Sequence, residues 1–280
     1  MKMTTEQLKG HIRSLAQKNH ADARILIRIY MMERFLERLS ISSYKDKFII
    51  KGGILVTSMI GVALRATMDI DTTIKNLNLS EEDIRNVITK ICEIDLQDDV
   101  QFKIKQLSHI MDEMEYPGLR ITMNALLGPM IVPMKIDVST DDKITPREVQ
   151  YDYKLLLEDR TIPLWTYNLE TLLAEKLQTV LARGPLNTRM RDYYDIHELL
   201  QAYHENIDPY TLKNAFQATC AKRNTSSLLD TGQQILSKLS SDSHLSQLWT
   251  SYQKKYPYAS DISYQSVIKS TTVLFRMINS

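Results

Sequence analysis

Glycine and proline are scarce, with only eight of each in 280 residues. That excludes collagen-like, turn-dense all-β and low-complexity disordered chains, whose backbones need far more of both. Cysteine is scarcer still: Cys92 and Cys220 are too few for a disulfide scaffold or a cysteine-based zinc site. No apolar run approaches the ~18 residues that would span a bilayer, and the N-terminal stretch MKMTTEQLKGHIRSLAQ has no signal-peptide core. The expectation is therefore a cytoplasmic protein with no membrane partner. The six histidines form no pair at metal-ligand spacing and no H-E-x-x-H; G-x-G-x-x-G, Walker A and G-x-S-x-G motifs are also missing. What is present is a 43% hydrophobic, 25% charged chain with material for one large domain or two ordinary ones.

Net charge is nearly absent too, but its distribution is uneven. Residues 1–50 carry ten Lys/Arg against five Asp/Glu, residues 51–160 carry 13 against 19, and residues 161–280 carry 12 against ten. A chain that grips nucleic acid mainly through phosphates is usually more basic than this. The acidic middle suits a divalent metal or an ordinary solvated surface, and charge alone favours the second.

Apolar spacing organises the chain. The first forty residues read as two helices; in Ala23–Leu39 the set Ile25, Ile29, Met32, Phe35, Leu36 and Leu39 makes one buried face, leaving Arg24, Arg28, Glu33, Glu37 and Arg38 for the other side. From Phe48 short runs rich in β-branched residues predict strands at Phe48–Ile50, Met68–Ile74, Phe102–Leu107, Leu119–Leu127, Ile131–Val138 and Ile162–Trp165. One helix interrupts them, capped by Ser80 with Asp83 three residues on. Tyr116-Pro117-Gly118 and Gly128-Pro129 mark turns between antiparallel neighbours. Asn168 caps a helix over Leu169–Arg183 that Gly184-Pro185 stops, and further helices fit 189–203, 209–222, 224–239, 243–254 and 262–278. The reading is an α/β (α+β) chain with two domains: a mixed-sheet domain with N-terminal helices over 1–167 and a helical C-terminal domain over 168–280.

The strongest local signal is Lys51-Gly52-Gly53 between a short strand and a helix beginning near Ile54, where unpaired amides and the helix's positive end can face a phosphate. Asp69 and Asp71, two apart on a strand, point to one face. Side-by-side carboxylates repel unless something positive lies between them, and hard oxygen ligands favour Mg2+ or Mn2+. Taken singly, the Gly-Gly turn reads as a plain turn and the Asp pair as an exposed strand end; their succession is what points to a site. Asp137, alone in the apolar strand Met134–Val138, completes a three-carboxylate metal cluster if that strand lies beside the first. In the helical part Lys176 and Arg183 share a face seven residues apart, and Asp192 and Asp195 lie near Arg189 and Arg191, positioned either as surface ion pairs or to orient Lys176 and Arg183. Tyr252, Tyr256 and Tyr258 beside Lys254 and Lys255 read as a helix-end surface before a base-stacking platform.

In order, Lys51-Gly52-Gly53, Arg65-x-Thr67-x-Asp69-x-Asp71, Lys135-x-Asp137-Val138, Glu175-Lys176-Leu177 and Arg191-Asp192-Tyr193-Tyr194-Asp195-Ile196 resemble the AbiE-type nucleotidyltransferase toxins of type IV toxin–antitoxin and abortive-infection systems. The resemblance implies a DNA polymerase β-type nucleotidyltransferase domain with a helical C-terminal lobe. It implies that Lys51, Gly52, Gly53, Arg65, Thr67 and Arg183 bind a nucleoside triphosphate (NTP). Asp69, Asp71 and Asp137 would hold Mg2+ or Mn2+ and handle the chemistry, with Lys176 and Asp192 or Asp195 as the later functional residues. In the wider superfamily the turn is often Gly-Ser; here it is Gly-Gly, which leaves the amides to bind phosphate. The implied reaction is transfer of a nucleotide to RNA, the tRNA 3′ end above all, opposed by a cognate antitoxin. The competing readings are the same transfer to a protein or small molecule, and a non-enzymatic interaction module on the same fold.

Overall fold

Residues 2–61, 65, 67–110 and 118–279 are described in the computed structural model of the chain, and they divide into two units. The first comprises Met1–Asp142 with Val149–Thr166; the second comprises Lys143–Glu148 with Tyr167–Ser280. The turn expected at Tyr116-Pro117 lies outside the described residues.

Two helices open the first unit, α1 (Thr5–Asn19) and α2 (Ala23–Ile41). A reciprocal capping box starts α1: the Gln7 amide donates to Thr4 Oγ1 at 3.2 Å, and the Thr4 amide donates to Gln7 Oε1 at 2.8 Å. Helix α2 departs from the amphipathic expectation. Leu26 rather than Ile25 is on its buried side, and Glu33, Arg34 and Arg38 are buried as well. Each of these charges has partners, which is what makes its burial tolerable. Glu33 accepts the Leu156 amide at 3.0 Å on both oxygens, Arg34 pairs with Glu37 at 2.8 Å and Glu158 at 3.2 Å, and Arg38 clasps Asp98 at 2.7 and 2.9 Å. A helix walled in on several sides needs no polar face, and one-dimensional periodicity does not see those walls.

The seven-stranded sheet consists of β1 (Phe48–Lys51), β2 (Ile70–Ile74), β3 (Val100–His109), β4 (Gly118–Leu127), β5 (Met130–Thr140), β6 (Val149–Lys154) and β7 (Thr161–Thr166), in the order β3-β4-β5-β2-β1-β7-β6. It is mixed: β2 runs parallel to β5 and β1 to β7, and the other neighbours are antiparallel. The edge strand β6 was not among the expected strands; of its residues only Tyr153 is buried, so it carries little hydrophobic signal. Helix α3 (Gly52–Ile60) follows β1 directly, and α4 (Glu81–Cys92) is capped by Ser80, whose Oγ accepts the Asp83 amide at 3.0 Å. Val132, Met134, Ile136 and Val138 of β5 alternate with Ile131, Pro133, Lys135 and Asp137, and only the first set is buried on the inner face. On that face Phe102 of β3 packs edge-on to Phe35 of α2.

Helices make up most of the second unit: α5 (Leu169–Arg183), α6 (Met190–Tyr203), α7 (Pro209–Lys222), α8 (Leu228–Ser240), α9 (Ser243–Lys255) and α10 (Tyr264–Ile278). Asn168 caps α5 as expected, accepting the Thr171 amide at 2.8 Å. Helix α8 starts at Leu228 instead of residue 224, because the Thr225 amide still bonds Cys220 O and closes the preceding helix. Among the described residues no helix is long and apolar enough to cross a membrane.

Candidate active site

Strand register assembles the site. Lys51 of β1 faces Asp71 of β2, Asp71 faces Asp137 of β5, Asp137 faces Arg120 of β4, and Arg120 faces Ser108 of β3. Register partners share a sheet face, so four strands contribute one transverse row with charges in the order plus, minus, minus, plus. Arg120 grips Asp137 through both carboxylate oxygens, at 2.8 and 2.7 Å. Lys51 is buried and donates to Ser139 Oγ at 2.8 Å and to Asp142 Oδ2. Asp69 is one residue before β2, since the strand begins at Ile70 and not at Met68.

Helix α3 begins beside this row. The Gly53 amide donates to Asp71 Oδ2 at 3.2 Å. Gly52 has φ +62°, and a Cβ there would strike Asp71 Oδ2, so both the conformation and the close approach require glycine. A Cβ on Gly53 would lie 2.7 Å from Thr67 Oγ1 and 2.9 Å from an Arg65 guanidinium nitrogen. That crowding explains Gly-Gly in place of Gly-Ser: Arg65 and Thr67 already fill the space a serine would take. Arg65 is itself buried and donates to Gly53 O at 2.8 Å, fastening the turn; Thr67 Oγ1 reaches Asp69 O at 3.4 Å.

Burial is the main force on both acids of β2 and its approach. It pushes the Asp71 carboxyl up, with Asp137 and Asp69 adding repulsion against the Gly53 amide and Lys51. Asp69 is pushed up by burial and by Asp137, against Lys135, Arg120 and Arg28. The donor set is three hard carboxylates that repel one another, which fits a divalent cation chemically. The ready-made three-carboxylate cluster expected from the sequence is not assembled, however. Among the described residues no three acids converge on one point, because Asp71 is turned to the Gly53 amide and Asp137 to Arg120.

In the helical unit Lys176 is buried between two acids, 3.3 Å from Asp192 Oδ1 and 2.6 Å from Asp195 Oδ2. Arg189 holds the other oxygen of Asp192 at 2.9 Å. The two acids therefore orient Lys176 as one of the sequence readings had it, with Arg189 as the second cation in place of Arg183, which is exposed at the end of α5. The tyrosine cluster packs on itself at the end of α9, with Tyr252 buried and Tyr256 and Tyr258 half-buried: Tyr252 stacks on Trp249 at 5.3 Å, leans on Tyr256 at 4.7 Å and bonds Tyr258 Oη at 3.0 Å.

Sequence reasoning passed over Arg120, Ser139 and Asp142. For Arg120 a signal existed. Gly128-Pro129 is a two-residue hairpin turn, and counting outward from Leu127 opposite Met130 brings Arg120 opposite Asp137.

A sequence model of the nucleotidyl transferase AbiEii toxin family of type IV toxin–antitoxin systems matches residues 34–269. No curated protein matches the chain. The fold is similar to that of JHP933 from Helicobacter pylori, at 14% identity, 92% coverage of each chain and a TM-score of 0.49. It is also similar to an antigenic nucleotidyltransferase-like protein from Paracoccidioides brasiliensis, at 16% identity, 84% and 94% coverage and a TM-score of 0.39. Matched over most of its length by the family's sequence model, this chain belongs to the AbiEii nucleotidyltransferase toxin family of type IV toxin–antitoxin systems, and it is a nucleotidyltransferase.

Proposed function

We propose that the enzyme transfers a nucleoside monophosphate from an NTP to the 3′ hydroxyl of an RNA, the tRNA acceptor end, in the cytoplasm, and so blocks translation and growth until its antitoxin intervenes. The observation that carries this reading is the row Lys51–Asp71–Asp137–Arg120 beside the Gly52-Gly53 turn in a member of this family. The start of α3, where Gly52 and Gly53 are half-buried and Arg65 and Thr67 brace the turn, is the end of the helix at which a phosphate would sit. Asp69, Asp71 and Asp137 are the residues that would hold Mg2+ or Mn2+. Bound there, a divalent ion would supply positive charge to the phosphates and acidify the attacking hydroxyl.

The oxygen of the RNA hydroxyl bonds the α-phosphorus, the α–β phosphoanhydride bond breaks, and pyrophosphate leaves with its electron pair. The hydroxyl proton passes to Asp69 or Asp71, the two carboxylates of the site that Arg120 does not hold. Asp137 suits that role less, because Arg120 occupies both of its oxygens. Lys176, held between Asp192 and Asp195, is the family's functional lysine by resemblance, and Arg183 is its companion on α5.

Purified protein incubated with magnesium, total bacterial RNA and each of the four α-labelled NTPs tests the reading. Label should enter a tRNA-sized band and disappear in Asp69→Ala. Label found only in protein or small molecules would overturn the RNA acceptor, and no transfer to any acceptor would overturn the reading as a whole.

A further inference from the structure

The open face of the β3–β4–β5 meander differs from the rest of the acidic middle of the chain. These three strands are ten or eleven residues long against four to six for the other four. Within Val100–His109, Gly118–Leu127 and Met130–Thr140 the basic side chains Lys103, Lys105, Arg120 and Lys135 are joined by a single acid, Asp137, the candidate catalytic residue. Elsewhere in residues 51–160 acids outnumber bases.

Register shows where these groups stand. Beside the row ending in Asp137, Arg120 and Ser108 comes a second, Lys135–Thr122–Gln106, and then a third, Pro133–Asn124–Lys103. All share the face of Asp137, since they are spaced by twos along β4 and β5. A bulge between Ile104 and Gln106 keeps β3 in step and gives Lys105 the extra position at the outer edge. Gln101, Lys103, Lys105, Gln106 and Lys135 are exposed, while the opposite face is buried on α2. Cations and neutral hydrogen-bonding groups, interrupted by Pro133, therefore extend about 13 Å from the acids, taking about 3.3 Å per residue over four residues. The next row, Ile131–Leu126–Gln101, is apolar but for Gln101. No aromatic ring of these strands lies on the open face among the described residues; Phe102 points inward to Phe35.

We propose that this face is the track for the acceptor RNA, holding the sugar–phosphate backbone of its last few nucleotides so that the 3′ hydroxyl reaches the acid row. The inference rests on the RNA reading above and adds the route. Its chemistry is charge complementarity to phosphates from Lys103, Lys105 and Lys135, with Thr122, Asn124, Gln101 and Gln106 bonding phosphate or ribose oxygens. Without stacking aromatics it reads backbone in preference to base, so it tolerates sequence upstream of the terminal nucleotide.

The test measures binding of a fluorescein-labelled single-stranded RNA oligonucleotide to the full chain at several salt concentrations without NTP. Removing both β3 cations in Lys103→Gln/Lys105→Gln should weaken binding and make the log–log salt slope shallower by about 1.4, at roughly 0.7 per single-strand phosphate contact. Lys154→Gln on the opposite edge strand, where the lysine side chain is 71% exposed, should change neither. Binding of labelled NTP should be the same in all three proteins. The proposal is overturned if the double variant keeps the wild-type slope, if the wild type does not bind the oligonucleotide, or if the double variant lowers labelling of a protein acceptor instead. Failure of the RNA reading itself is separately visible, as no label in RNA with the wild type.

Discussion

The first unit holds two charge-rich regions that are built in opposite ways. Around α2, Glu33, Arg34, Arg38 and Asp98 are buried and Glu158 is half-buried, each held by an ion pair or hydrogen bond, although Arg34 Nε and Arg38 Nε find no acceptor. Across the open sheet face, two carboxylates sit side by side in register, and repulsion adds to burial in pushing Asp71 up. The first region costs desolvation and recovers it inside the protein. The second leaves Asp71 beside Asp137 and Asp69, a repulsion that a further positive group would relieve. Repelling carboxylates set side by side mark function, while buried charges held in pairs mark architecture.

Substitutions of matching chemistry separate the two. Asp71→Asn should reduce nucleotide transfer to background yet raise the melting temperature of the protein without ligands, because it removes a buried charge and the repulsion from Asp137. Asp98→Ala should do the reverse. It leaves the Arg38 guanidinium buried without its carboxylate, at a cost of about 3–5 kcal/mol in urea unfolding, while the specific activity of the folded fraction stays at wild type.

A smaller effect appears in pH dependence. Burial pushes the Glu33 carboxyl up to about 8, against the Leu156 amide, Arg34 and Tyr153. The folded protein therefore holds a proton there that the unfolded chain has lost above the usual carboxylate range. Stability from this group is complete below that range and falls as pH rises through about 8. Glu33→Gln should flatten the decline in melting temperature between pH 5 and 8, and an equally steep decline in the variant would assign it to other groups. Smallest of all is Arg24→Ala, which removes an exposed pair with Asp22 and should leave the melting temperature unchanged.

Much of the architecture was legible because it is local. Leu169–Arg183 has a capping asparagine, an amphipathic stripe and a terminal glycine, and the helix forms with those bounds. The strand containing Asp137 was legible from its alternation, and so was the antiparallel turn at Gly128. Strand β6 was missed because an edge strand buries too little to leave a pattern. Helix α2 was read as half-solvated because its charges satisfy one another through residues 60 and more than 100 positions away, at Asp98, Leu156 and Glu158.

The sequence by itself determined the residue types of the site, their order along the chain and the family they belong to. It placed Asp69 and Asp71 two apart, put glycines at the strand-to-helix turn and spaced Lys176 from Asp192 and Asp195. Tertiary structure decided which of these groups meet. Parallel pairing of β2 with β5 put Asp71 opposite Asp137, the β4–β5 hairpin set Arg120 on that carboxylate, and folding of α5 against α6 closed two acids on Lys176. The physical reason is range. Propensity and capping act over a few residues, whereas the energy of a charge depends on every group within several ångströms, and only the folded chain chooses those neighbours.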